Sequence, residues 1–160
     1  MSPYFPSETN LNEWMTSWLQ TSSLNVFESI WDPTDFSSNA TLTLKQSPFS
    51  TSFNTLRWHK IQIAFFNSTS TIVMTKTVTI SPDNAITSIT YDGSYAVKAI
   101  LINYNDHTFC ENFLDTQSLQ FFMTNVNNIS DIFTRSLVWY NIAQMNKHTY
   151  LKLENYTVFL

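Results

Sequence analysis

Few side chains in this sequence are of the kinds that catalyse. The three histidines, His59, His107 and His148, are followed by Lys, Thr and Thr. None opens an H-E-x-x-H pattern, which sets two zinc ligands on one helix face with a general-base Glu between them. His107 and Cys110 form an H-x-x-C pair, but positions three apart in an extended segment point to opposite faces. No second ligand pair accompanies them. Glu28, Asp32 and Asp35 lack the spacing and the glycine of a calcium loop and read as solvated loop carboxylates. The single glycine, Gly93, leaves no Gly-rich phosphate loop, and no serine stands in a nucleophile elbow. His59 shares strand parity with Ile61 and Ile63, which marks it as a hydrogen-bonded structural histidine at the rim of a core. The sequence therefore assigns no catalytic, metal or cofactor residue.

The elements that hold these residues follow from periodicity. Leu11, Trp14, Trp18 and Leu19 recur at helical spacing behind a capping box formed by Asn10 and Glu13, and Thr21 to Ser23 end that helix. Residues 25–33 read as a transitional segment. From there the period falls to two. The stretch 41–45 alternates with Leu42 and Leu44 on one face, 57–65 groups Ile61, Ile63 and Phe65 opposite Lys60 and Gln62, and 71–80 is dense in β-branched residues. Shorter strands are predicted at 86–91, 97–102 and 109–114. Helical spacing returns at 115–126 and 130–145, with Asp115 and Ser130 as N-caps. On the last helix Phe133, Leu137 and Tyr140, with Ile132, Trp139 and Ile142 alongside, form the expected apolar stripe, and Asp131 and Arg135 an i,i+4 ion pair. Strands bracketed by helices, without alternation, predict a mainly β chain. It is an antiparallel β-sandwich flanked by an N-terminal helix and a C-terminal helical segment.

Composition narrows the function classes. The chain has 160 residues, 16% of them aromatic and 12% charged, with a formal net charge of −4. Phosphate binding needs clustered Lys and Arg, which are absent, so nucleic acid is excluded as a partner. No apolar run reaches the length of a membrane span. Cys110 is the only cysteine, and no signal or transit peptide is evident, which predicts an intracellular, cytoplasmic setting. Four Asn-x-Ser/Thr sequons, at Asn39, Asn67, Asn128 and Asn155, equal the number expected by chance from so Asn-, Ser- and Thr-rich a sequence.

Three ordered blocks then stand out. The first is NEWMTSWLQTSSLN and the leucine before it, with Leu11, Trp14, Trp18, Leu19, Thr21 and Asn25 in register. It resembles the segment closing the catalytic domain in the zinc aminopeptidase N family, with Ser23 where that family has glycine. TLTLKQSP and LRWHKIQIAFFN, with Gln46, Leu56, Arg57 and His59, are similar to the opening strands of the family's β-sandwich. ILINYNDHTFCENFLDTQSL and ISDIFTRSLVWYNIAQM resemble its last sandwich strands and first C-terminal helices. The matching residues there are Asn103, Asp106, Thr108 and Phe109, then Asp115, Ser118 and Leu119, then Asp131, Arg135 and Trp139.

The resemblance covers residues 10–147 and implies three parts. Residues 1–25 are the end of a catalytic domain, 26–114 the sandwich, and 115–160 the start of a helical domain. In the family the zinc ligands and general base lie upstream of such a stretch, so no catalytic role carries over, and zinc is implied only for a complete aminopeptidase. The expected function is a non-catalytic scaffold or interaction module in a larger protein assembly, an expectation to which Met1 adds weight. The alternative is a fragment of a working enzyme that removes N-terminal amino acids from peptides. Trp14, Trp18, Leu19, Phe133, Trp139 and Tyr140 are the expected partner-binding residues, with Trp14 and Trp18 exposed.

Overall fold

The computed structural model describes residues 11–31, 41–91 and 96–148. Asn10, Asp32, Asp35, Asn39, Gly93 and Asn155, on which some expectations rest, lie outside them. The chain runs through helix α1 (Leu11–Leu19), strands β1 (Asn25–Ile30), β2 (Thr41–Pro48), β3 (His59–Phe66), β4 (Ile72–Ile80), β5 (Ile86–Thr90), β6 (Ala99–Leu101) and β7 (Glu111–Phe113), then helices α2 (Thr116–Asn125) and α3 (Ile132–Lys147). Two sheets form, in the orders β5-β2-β1-β7 and β4-β3-β6. All their pairings are antiparallel except that of β1 with β7. The fold is thus the expected sandwich with flanking helices. Among the described residues no helix is long and apolar enough to cross a membrane.

Alternation along the strands builds two cores. Ile61, Ile63 and Phe65 of β3 meet Phe27, Leu42, Leu44, Ile100 and Tyr91 between the sheets. The other face of β3 carries Ala64 and Phe66, which join Phe113, Leu119, Phe122, Leu137, Val138 and Ile142 beneath the helices. Strands buried on both faces read as continuous apolar runs, as the end of β3 does. The helical core draws on residues to either side of position 115, so the last strands and the first helices share one packed interior. Phe66 and Phe122 meet edge to face with centroids 5.1 Å apart.

Helix α2 also covers a sheet edge. Its N-cap Asp115 accepts from the Ser118 backbone N–H at 2.9 Å, which turns the Ser118 hydroxyl toward β6, where it accepts from the Ile100 N–H at 2.9 Å. Gln117 donates to the Lys98 carbonyl at 3.2 Å. On the opposite edge Lys76 of β4 reaches across to the Thr90 carbonyl at 2.6 Å. A lysine on an edge strand blunts its tendency to pair with other chains.

Three details depart from the sequence reading. Residues 25–30 are not transitional but form β1, an inner strand of the larger sheet. Polar Asn25, Glu28 and Ser29 break its apolar pattern, and Asn25 and Ser29 are buried because distant partners satisfy them. Second, Asp131 rather than Ser130 caps α3, accepting from the Thr134 N–H at 2.7 Å and from its hydroxyl at 2.6 Å. Those bonds hold the Asp131 carboxyl below its ordinary pKa. Arg135 makes no ion pair with Asp131; it turns back to donate to the Ile129 and Ser130 carbonyls. Third, the buried face of α3 is Thr134, Leu137, Val138, Asn141, Ile142 and Met145. Phe133 and Tyr140, expected with Leu137 on that face, lie outside it because two polar residues, Thr134 and Asn141, occupy the inward spacing.

The shared interior predicts the behaviour of a core truncation. Phe122→Ala should cost about 3–5 kcal/mol, and strand and helix signals should melt together in one denaturant transition. Early loss of helix signal, with the strands intact, would mean that the helices are a separate unit.

Candidate functional site

The resemblance-bearing residues do not scatter over the surface. Arg57, just before β3, is 1% exposed. Its Nε donates to the Ser17 carbonyl at 2.8 Å, and one terminal nitrogen donates to the Thr21 hydroxyl at 2.8 Å and the Ser22 carbonyl at 3.0 Å. A helix ends with unpaired carbonyls. Arg57 supplies donors and positive charge there, and both favour a helix C-terminus. Burial lowers the guanidinium from its ordinary value, so these acceptors are what make a cation tolerable in the site. The face of Trp18 covers it at 5.3 Å.

Next to Arg57 lies a second layer. The Asn25 side-chain oxygen accepts from Gln46 Nε2 at 3.1 Å and sits 3.0 Å from His59 Nε2, while its amide nitrogen donates to the Thr55 carbonyl at 2.8 Å. Gln46 also donates to the Arg57 carbonyl at 2.8 Å. His59 Nδ1 is 3.0 Å from the Thr108 hydroxyl. Because the Asn25 oxygen can only accept, His59 carries its proton on Nε2, and Nδ1 accepts from Thr108. Burial, and then the nearby Arg57 charge, push the His59 pKa down to about 3. The ring is therefore neutral, edge-on to both Trp18 and Phe27 at 5.2 and 4.9 Å. Asn103, in the left-handed region at φ 55°, ties in the last block by donating to Asp106 at 3.2 Å and to the Thr108 carbonyl at 2.9 Å.

Ser23 belongs to the same joint. Its φ of 77° places it in the left-handed region just after α1, the conformation that makes glycine the usual residue past a helix end. The helix exit therefore keeps the geometry expected of glycine although serine stands there.

Other candidate chemistry is dispersed. His107 is exposed and Cys110 is 8% exposed, as their spacing implied, and burial drives the thiol well above its ordinary pKa. A thiol held protonated is a poor nucleophile. Glu28 pairs with Lys45 at 3.0 Å. His148 meets the buried Glu111 at 2.9 Å between the rings of Phe49 and Phe113. Among the described residues, no three His, Cys, Asp or Glu side chains gather where they could hold a metal ion. A groove of about 540 Å³ opens beside β1, β7 and α2, but its two carboxylates are already engaged, Glu28 by Lys45 and Asp115 by Ser29 and Ser118.

The partner-binding candidates divide. Leu19 is 70% exposed, Phe133 51% and Tyr140 52%. Trp14 and Trp18 are half-buried rather than exposed, with rings 6.3 Å apart, because Trp18 leans on the chain's own Arg57 and His59. Trp139 is half-buried against the helical core. Sequence reasoning overlooked the Arg57 clamp and the Asn25 hub. The signal available was the coincidence of polar motif residues with otherwise apolar strand ends. Comparison with known protein families and with curated protein sequences finds no match to this chain.

The neutral His59 gives stability a pH dependence. Above pH 6.5 neither state binds the proton. As pH falls from 6.5 toward 3, the unfolded chain binds a proton that the folded chain refuses, and stability declines. Between pH 7 and pH 5 the loss from this one residue should be about 2 kcal/mol. Denaturant midpoints of the wild type and of His59→Gln across that range check this: the variant should show a shallower slope, and parallel slopes would contradict it.

Proposed function

We propose that this chain is a non-catalytic scaffold and interaction module of the aminopeptidase N type, working in an intracellular, cytoplasmic assembly. The sandwich connects a helix on its N-terminal side with a helical segment on its C-terminal side. The observation that carries this reading is the convergence of three distant motif blocks on one buried joint. Trp18, Thr21 and Asn25, then Gln46, Arg57 and His59, then Asn103 and Thr108 bond to one another or share neighbours. Motif residues spent on hydrogen bonds inside a joint support architecture rather than catalysis. The C-terminal motif residues act likewise, with Asp115 and Asp131 capping helices. Leu19, Phe133 and Tyr140, with Trp14, Trp18 and Trp139 at the margins, form the partner-facing surfaces of this reading, since apolar patches of this sort mark interaction sites.

One observation favours a second reading, that the chain is part of a working zinc aminopeptidase. Helix α1 fully buries none of its side chains and turns Leu11, Met15 and Leu19 outward, as a helix closing a further domain would. Metal analysis and aminoacyl-arylamide hydrolysis separate the readings. The purified chain should hold no stoichiometric zinc and release no arylamine. Native material should be equally inert if the chain is a scaffold, whereas zinc and activity found only in native material would establish the second reading. Stoichiometric zinc on the chain itself, lost in His107→Ala, would overturn both.

A further inference from the structure

Helix α1 is held to the sandwich in an unusual way. None of its residues is fully buried, and Leu11, Met15 and Leu19 are 56%, 42% and 70% exposed. A cluster of hydrogen bonds ties its last turn and the residues just after it to the sandwich. There Arg57 takes up the carbonyls of Ser17 and Ser22 and the hydroxyl of Thr21, and Trp18 lies against Arg57 and His59. Directly after this clamp comes Ser23 at φ 77°, a left-handed conformation that costs a non-glycine residue about 1 kcal/mol or more. A weakly buried element clamped at its end by a buried arginine and followed by a strained residue has the makings of a local opening unit.

We infer that α1 is a strap: it opens as a unit about Ser23 when the Arg57 clamp releases, and closure seals His59 beneath Trp18. This inference does not rest on the aminopeptidase reading. Opening removes the clamp's acceptors from Arg57 and lifts one wall of the His59 site, while Asn25, Phe27 and Thr108 remain around the ring. The charged groups near His59 are few. Arg57 adjoins it, Asp106 is linked to it through Asn103 and then Thr108, the β1 residues against it, Asn25 and Phe27, are neutral, and the one charged residue of α1 is the exposed Glu13.

A sign for acid follows from this geometry. Closed, the ring holds no proton until about pH 3; open, with one wall of the site lifted, it regains part of its affinity for one. Lower pH therefore favours the open strap, with the opening constant rising between pH 7 and pH 5 by at most about 20-fold, the limit for a fully freed ring. The strap couples proton concentration to the position of whatever is joined to α1.

Peptide-resolved hydrogen exchange on the full chain, corrected for intrinsic exchange at each pH, tests the inference. Amides in the 15–22 stretch should exchange through an opening of lower free energy than those of β3 and β4. Arg57→Lys, which keeps the charge but loses the fork of donors, should speed exchange of α1 tenfold or more and leave the strands unchanged. The acid effect on α1 should vanish in His59→Gln. Should Arg57→Lys fail to fold, Thr21→Val, which removes one clamp acceptor, should give the same pattern with a smaller change. Exchange of α1 and β3 at one common rate, acceleration of both alike by either clamp variant, or an acid effect that persists in His59→Gln would overturn the strap.

Discussion

A buried guanidinium has to be surrounded by acceptors, and the region between α1 and the sandwich is arranged to meet that demand. Arg57 is buried to 1% exposure, and an unpaired charge in such a place would cost several kcal/mol. The acceptors come from the end of α1 and the turn after it. That end has carbonyls with no helical partner, so a single contact satisfies two otherwise costly sets of groups. The position of the clamp fixes the left-handed exit at Ser23, and the exit delivers Asn25 to the start of β1. From there Asn25 links the first block to Gln46 and His59, and His59 reaches Thr108. Four segments far apart in sequence are held in register by this one chain of bonds.

Away from the joint the structure is held by burial. β1, β3 and β6 each send alternate side chains into two interiors, one between the sheets and one beneath α2 and α3. A strand used on both faces cannot slip register without moving apolar groups into the wrong core. That is why the short β6, three residues long, is well determined: Ala99 and Leu101 face the helices while Ile100 faces the other sheet. Its edge is then closed by Ser118 and Gln117, so helices and sandwich are coupled by hydrogen bonds as well as by packing.

How much of this was legible in the sequence depended on whether local pattern and tertiary demand agreed. Strands β2 to β5 were readable because alternation or β-branched residues marked them, and α2 because Asp115 is both a good cap and the observed one. β1 was hidden because Asn25 and Ser29 occupy buried positions that only distant partners justify. The buried face of α3 was misassigned because Thr134 and Asn141 lie inward while Ile132, Phe133 and Tyr140 stay out, so apolarity did not identify the core side. His59 was legible as a buried structural residue from strand parity. Its partners were not, since Asn25 lies 34 residues before it and Thr108 49 residues after it. Arg57 was visible as part of a motif, but nothing local revealed that its side chain would meet the end of α1.

The functional reading rests on what these residues are occupied with. Side chains that in another setting would suggest chemistry — a histidine, an arginine and two amides in a cluster — here spend their donors on one another and on backbone, and only the Gln46 side-chain oxygen is left buried without a partner among the described residues of that cluster. The joint depends on a neutral His59, and long-range ¹H–¹⁵N spectra of the imidazole, assigned through His59→Gln, read that state directly. A neutral ring protonated on Nε2, with its nitrogen shifts unchanged between pH 8 and pH 5, is the predicted result. A ring protonated on Nδ1, or one that titrates near pH 6.5, would contradict the joint and the architecture built on it.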